Sequence, residues 1–141
     1  MFRITHYDHI GVRVTDRNVA VEFYRKLGFE IEPDEDSPHF NAVGLINAEG
    51  VRINLIYNGN TPPESRNVLM DIPEKWPGYT HYAVMVDNLQ KVLDWAAQAG
   101  IPITEGPIEI GGRRTLCFIR DPDGNVIEFD QVLPEWKKSE K

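Results

Sequence analysis

A chain of 141 residues with 41% hydrophobic content can bury a sizeable core as one globular unit, and no composition shift divides it into independent domains. Fifteen basic against 22 acidic side chains leave a net charge of −7, which argues against nucleic acid as a partner because no basic face is readily assembled. The single cysteine, Cys117, allows no internal disulfide, and the absence of a signal peptide or a long apolar run leads to the expectation of a cytoplasmic protein with no membrane partner.

Residues 5–14 alternate so that Ile10, Val12 and Val14 share one strand face and Tyr7, His9, Gly11 and Arg13 the other. Thr15 or Asp16 then caps a helix to about Leu27, with Val19, Phe23 and Leu27 recurring at i, i+4 and i+8, and Gly28 stops it. Residues 29–31 and 40–46 read as strands separated by an acidic, Pro-bounded loop, and Gly50 turns the chain into a strand over residues 51–57. There Arg52, Asn54 and Ile56 oppose Ile53, Leu55 and Tyr57. The stretch 59–78 is rich in Pro, Gly and Asn and long for an internal connection. Beyond it come a strand over 79–86, a helix over 89–99, a strand over 101–104, and strands over 114–120 and 125–132 about the turn Asp121-Pro122-Asp123-Gly124. The lysine-bearing end, with Lys137, Lys138 and Lys141, reads as a solvating tail.

The chain contains one pattern twice. YDHIGVRVTD and YTHYAVMVD each set a His before alternating apolar residues and an Asp; His9 and His81 lie 81 − 9 = 72 residues apart, as do Gly28 and Gly100. Gly50 and Gly124, each ahead of a strand, lie 124 − 50 = 74 apart, a change that a short loop insertion absorbs. A period of about 70 exceeds the range of solenoid repeats, so two copies of a module are expected, about 5–58 and 79–132 joined by 59–78, in a single domain spanning 1–141. Each copy is strand, helix, then three strands. Strand parity puts His9 and His81 off the helix-covered face, and Glu128 takes the repeat position that Asn54 holds in the first copy. If the open faces curl together, His9, Asn54, His81 and Glu128 converge. Two imidazoles and a carboxylate suit a divalent ion with coordination positions left for substrate. His6 and His39 have no repeat partner and read as ordinary exposed or hydrogen-bonded residues.

On DHIGVRV, the helix-ending LGF, YTHYAVMV and DPDGNVIEF, the chain resembles the vicinal oxygen chelate superfamily, which includes glyoxalase I, extradiol dioxygenases and bleomycin-binding proteins. The resemblance covers about residues 7–131. It implies an α+β fold of two βαβββ modules forming an incomplete barrel around a metal site, often completed in a homodimer. It also implies His9, His81 and Glu128 as ligands, with Asn54 at the remaining position, for a divalent ion that is iron, nickel, zinc, cobalt or manganese. Glyoxalase I carries Glu where this chain has Asn54, and an amide cannot accept a proton at neutral pH. Arg13 and Asn58 match positions that hold glutathione in that family, and Arg52 shares the strand face of Asn54.

The resemblance thus leads to the expectation of a metal-dependent lyase or isomerase of the glyoxalase type, acting on a small oxygen-chelating molecule such as a glutathione adduct. The ion would stabilise developing charge on the substrate, Glu128 or a metal-bound hydroxide would move the proton, and Arg13 with Arg52 would hold an anionic part. Two other readings stand beside it. One is an extradiol-type iron(II) dioxygenase; the other is a metal-free binding protein gripping a flat ligand between Tyr7, Tyr57, Trp76 and Tyr79.

Overall fold

A computed structural model describes residues 1–134, so the lysine-bearing end read as a solvating tail lies outside the described residues. The chain divides into two compact units, Met1–Ser65 and a second beginning at Arg66. The first contains β1 (Ile10–Arg13), α1 (Arg17–Lys26), β2 (Glu30–Ser37), β3 (Ala42–Ile46) and β4 (Arg52–Ile56), in a sheet ordered β1-β4-β3-β2. The second repeats it with β5 (His81–Met85), α2 (Leu89–Ala99), β6 (Glu105–Ile110), β7 (Arg114–Arg120) and β8 (Val126–Val132), ordered β5-β8-β7-β6. The fold is α+β, two open four-stranded sheets each with one helix and no closed barrel.

In each sheet the strand before the helix runs parallel to the last strand, while the other pairs are antiparallel hairpins. A parallel neighbour needs a crossover, and the helix together with the two middle strands supplies it. The registers carry the repeat: Gly11 pairs with Asn54 and Ala83 with Glu128, so the offsets are 83 − 11 = 72 and 128 − 54 = 74.

Alternation builds the core of the first unit. Val12, Val14, Ile53, Leu55 and Tyr57 are buried on one face of β1 and β4 and the residues that follow them, together with Ala20, Val21, Phe23 and Tyr24 of α1. The ring of Tyr24 meets those of Phe23 and Phe29 edge-on at 5.3 and 6.1 Å. Asp16 caps α1 by accepting from Val19 N at 2.9 Å, and Asn88 caps α2 by accepting from Lys91 N at 3.1 Å. Val19 is 52% exposed, because the buried stripe centres on Ala20 and Tyr24 and leaves Val19 at its margin.

Three strand boundaries depart from the sequence reading. The first strand is four residues long, Ile10–Arg13, its ladder with β4 running from Ile10 opposite Ile53 to Arg13 opposite Ile56. The acidic segment after Ile31 is not a loop but the body of β2, with a register irregularity between Ile31 and Asp36. As the outer strand it tolerates Pro33 and exposes Glu30, Asp34 and Glu35, while Glu32 and Asp36 are half-buried against Arg52 and Arg17; the exposed charges blunt the edge against further pairing. In the second unit the strand expected over 101–104 starts instead at Glu105, because Ile101 N bonds Ala96 O and finishes the helix cap.

The connection after β4 is anchored within the second unit. Asn67 Oδ1 accepts from Leu69 N and Met70 N, its Nδ2 donates to Gly124 O at 3.0 Å, and Arg120 grips Asp71 with both Nη atoms at 2.7 and 2.9 Å. Beside β7, Gly106 has φ +92°, and a Cβ there would stand 2.7 Å from Leu116 O. Gly106→Ala is therefore expected to destabilise the protein by about 2 kcal/mol, read as a lower urea midpoint at unchanged slope.

Candidate functional site

In the first unit His9 lies immediately before β1, with Nδ1 2.6 Å from Asp8 Oδ2. This hydrogen bond, more than anything else, holds the Asp8 carboxyl below its ordinary pKa. Asp8 is in turn 3.8 Å from Arg52, whose Nη2 donates to Glu32 Oε1 at 2.5 Å. A chain Glu32–Arg52–Asp8–His9 thus orients the imidazole and leaves Nε2 for another partner. Fixing one ring nitrogen by a carboxylate is what ligating histidines commonly need. Arg52, expected to hold substrate, is engaged in this chain.

Asn54 of β4 lies between two glycines, Gly11 on β1 and Gly44 on β3. Open space surrounds the Cβ position of Gly11, whereas a Cβ at Gly44 would stand 2.6 Å from Glu35 Cβ and 3.3 Å from Asn54 Oδ1. Glu35 therefore lays its stem across Gly44 beside the Asn54 amide. Sequence reasoning missed this carboxylate by placing it in a loop; the signal was a glycine in mid-strand, which marks close approach of another group. Asn58 adopts φ 65°, and its Nδ2 donates to Asn41 Oδ1 at 2.7 Å, so its amide also ties the end of β4 to the turn before β3. Arg13, exposed on β1, runs its stem past Gly59. Of the expected aromatic walls, Tyr57 is a core residue at 9% exposure, while Tyr7, Trp76 and Tyr79 are exposed.

In the second unit His81 opens β5 opposite Val126 and Glu128 sits in the middle of β8, two residue pairs further along the parallel register. His81 Nε2 and Glu128 Oε2 are 2.8 Å apart, and His81 Nδ1 is 2.9 Å from Thr80 Oγ1. Phe118, paired with Glu128 across β7 and β8, meets the His81 ring edge-on at 5.7 Å. Burial raises the pKa of Glu128 above the ordinary carboxylate value; the charge of Asp130 adds to this and His81 partly offsets it.

These donors are of the types a divalent ion takes, imidazole nitrogen and carboxylate oxygen, and at 2.8 Å His81 and Glu128 also satisfy one another as an ion pair. His81 and Glu128 belong to the second unit and His9 and Asn54 to the first, and among the described residues no three His, Cys, Asp or Glu side chains are grouped to hold a metal.

Two βαβββ units with a His-carboxylate pair on the first and last strands of one define a glyoxalase-type architecture. A family profile described as Glyoxalase/Bleomycin resistance protein/Dioxygenase superfamily matches residues 6–129, and the chain belongs to that superfamily. It is 28% identical over 131 residues to a probable lactoylglutathione lyase of Vibrio cholerae, covering 87% of this chain and 88% of that one. A lactoylglutathione lyase of Schizosaccharomyces pombe is 24% identical over 140 residues, and the chain spans only 43% of that protein while 86% of the chain is covered. A virulence protein of Salmonella typhimurium is 30% identical over 136 residues, covering 92% of this chain and 86% of that one. Its crystal structure superposes with a TM-score of 0.66 over 94% of this chain and the whole of that one. No helix among the described residues is long and apolar enough to cross a membrane.

Because Glu128 has a raised folded-state pKa, the folded protein binds the proton more tightly than the unfolded chain. Its contribution is fully present below the unfolded value of 4.5 and is lost as pH rises through the higher folded value. In chelator-treated protein, Glu128→Gln is expected to raise Tm relative to the parent at pH 7–8, with the difference vanishing near pH 4. Thermal melts across that range check it.

Proposed function

We propose that the chain is a divalent-metal-dependent enzyme of the glyoxalase type, a lyase or isomerase acting on a small oxygen-chelating substrate such as a glutathione adduct. The observation that carries this reading is the 2.8 Å approach of His81 Nε2 to Glu128 Oε2 on strands locked in parallel register. Relatives named lactoylglutathione lyase support it.

In this proposal His9, His81 and Glu128 hold the ion, drawn from iron, nickel, zinc, cobalt and manganese, with Asn54 Oδ1 at the remaining position. Bound there, it supplies Lewis acidity to adjacent substrate oxygens. Glu128, as the carboxylate at the ion, is the side chain proposed to accept and return the proton. Asn54 orients without exchanging protons. Arg52, through Asp8, sets the His9 ring, and Arg13 and Asn58 receive an anionic end of the substrate. The donors are divided between the two units, and a homodimer in the cytoplasm is the proposed working form.

The amide at Asn54 gives a second reading specific support. With no second carboxylate at that position, two histidines and one glutamate remain, the set that suits iron(II) and oxygen chemistry.

Isomerisation of methylglyoxal hemithioacetal by protein loaded with nickel, zinc or cobalt tests the first reading, and oxygen uptake with catechols on iron-loaded protein tests the second. Turnover in the first assay with none in the second is expected; fully metallated protein inactive in the first sinks the glyoxalase reading. Asp8→Ala is expected to weaken metal affinity about 10- to 100-fold by releasing the His9 ring, as measured by competition with a chromophoric chelator. His81→Ala should leave less than stoichiometric metal after dialysis.

A further inference from the structure

Asp130 is a buried carboxylate that the metal site does not explain. It is 4% exposed, and β8 sets it between Leu116 of β7 and Met85 of β5. Oδ2 lies 3.5 Å from Arg114 Nη1, while Oδ1 is buried and accepts no hydrogen bond. An orphaned charged oxygen in a fold is costly and calls for a partner.

Asp130 lines a cavity of about 290 Å³ together with Ile110, Arg113, Arg114, Leu116 and Glu128. The lining is sorted by chemistry. Two guanidinium-bearing residues come from the β6–β7 hairpin, two apolar side chains from β6 and β7, and two carboxylates from β8. The hairpin is pinned by Arg113 N to Ile110 O at 3.0 Å and Leu133 N to Arg113 O at 2.8 Å, which fixes the bases of both arginines. Arg presents a planar fork suited to carboxylates, and an aspartate offers only acceptors.

We propose that this cavity is a substrate-recognition pocket taking a carboxylate with an adjacent neutral hydrogen-bond donor, hydroxyl or amide N–H. Its carboxylate lies on Arg113 and Arg114, and its donor on Asp130 Oδ1. Calling the ligand a substrate rests on the proposed role of Glu128, which shares the cavity wall. The same role disfavours an ammonium donor, since a divalent ion on Glu128 would repel it. A purely structural Arg114–Asp130 contact accounts for Oδ2, and the neighbouring Glu128 carboxylate, itself only an acceptor when ionised, gives Oδ1 no donor.

The test titrates the full chain, chelator-treated and zinc-loaded in parallel, with glycolate, N-acetylglycine, propionate and glycine, following binding by NMR. Glycolate or N-acetylglycine is expected to bind about tenfold more tightly than propionate, the worth of one charged hydrogen bond. Arg113→Met/Arg114→Met should lose carboxylate binding at this cavity, read from the NMR signals of its lining residues. Asp130→Leu should abolish the preference while holding or raising Tm, because it replaces a buried charge with a side chain matched to Leu116 and Met85. If that variant does not fold, Asp130→Asn, alike in shape and uncharged, should cut the preference several-fold. Equal binding of the donor-bearing acids and propionate, a preference that survives at Asp130, or tightest binding of glycine would each overturn the proposal. Binding to chelator-treated protein is independent of metal and turnover, so a failed isomerase assay and a failed pocket are read separately.

Discussion

The parallel pairing of first and last strands is the constraint on which the rest of each unit depends. It fixes Ala83 beside Glu128 and so brings His81, two residues earlier, within 2.8 Å of the carboxylate. In the first unit it fixes Gly11 beside Asn54 and leaves His9 at the mouth of the sheet. The helix and the two middle strands are the crossover that this pairing requires, and their apolar residues supply the burial that holds it.

The two units use the same frame differently. Glu128 is largely covered beside Phe118, which raises its pKa, and it meets His81 Nε2 at 2.8 Å. Asn54 sits between glycines, neutral, with Glu35 laid across one of them. The first unit also invests its charges in orientation, since Glu32, Arg52 and Asp8 lie in series behind His9. The second copy thus holds a largely covered carboxylate at the position where the first holds a neutral amide.

What the sequence revealed and what it hid follow from the same physics. Period-two alternation and the repeated spacing disclosed both modules, the second helix at Leu89–Ala99 and the strands about Gly124, because these segments bury one face and must keep their pattern. The outer strands β2 and β6 were misplaced because an edge strand needs no apolar face; acidic residues and Pro33 satisfy it while reading as loop. Glu35 was lost with β2. Asp130 was visible only as an alternation partner of Glu128, since nothing local in a sequence says that a carboxylate will be buried with one oxygen unanswered.

The offsets 72 and 74 have a consequence for how such a chain can change over time. The extra two residues fall in the hairpin side of the second copy, yet Ala83 still faces Glu128 as Gly11 faces Asn54. Length may be added or removed at the hairpin tips while the chemistry stays anchored by backbone ladders far from the edit. Such insulation lets the rims change while the paired strands keep His81 beside Glu128.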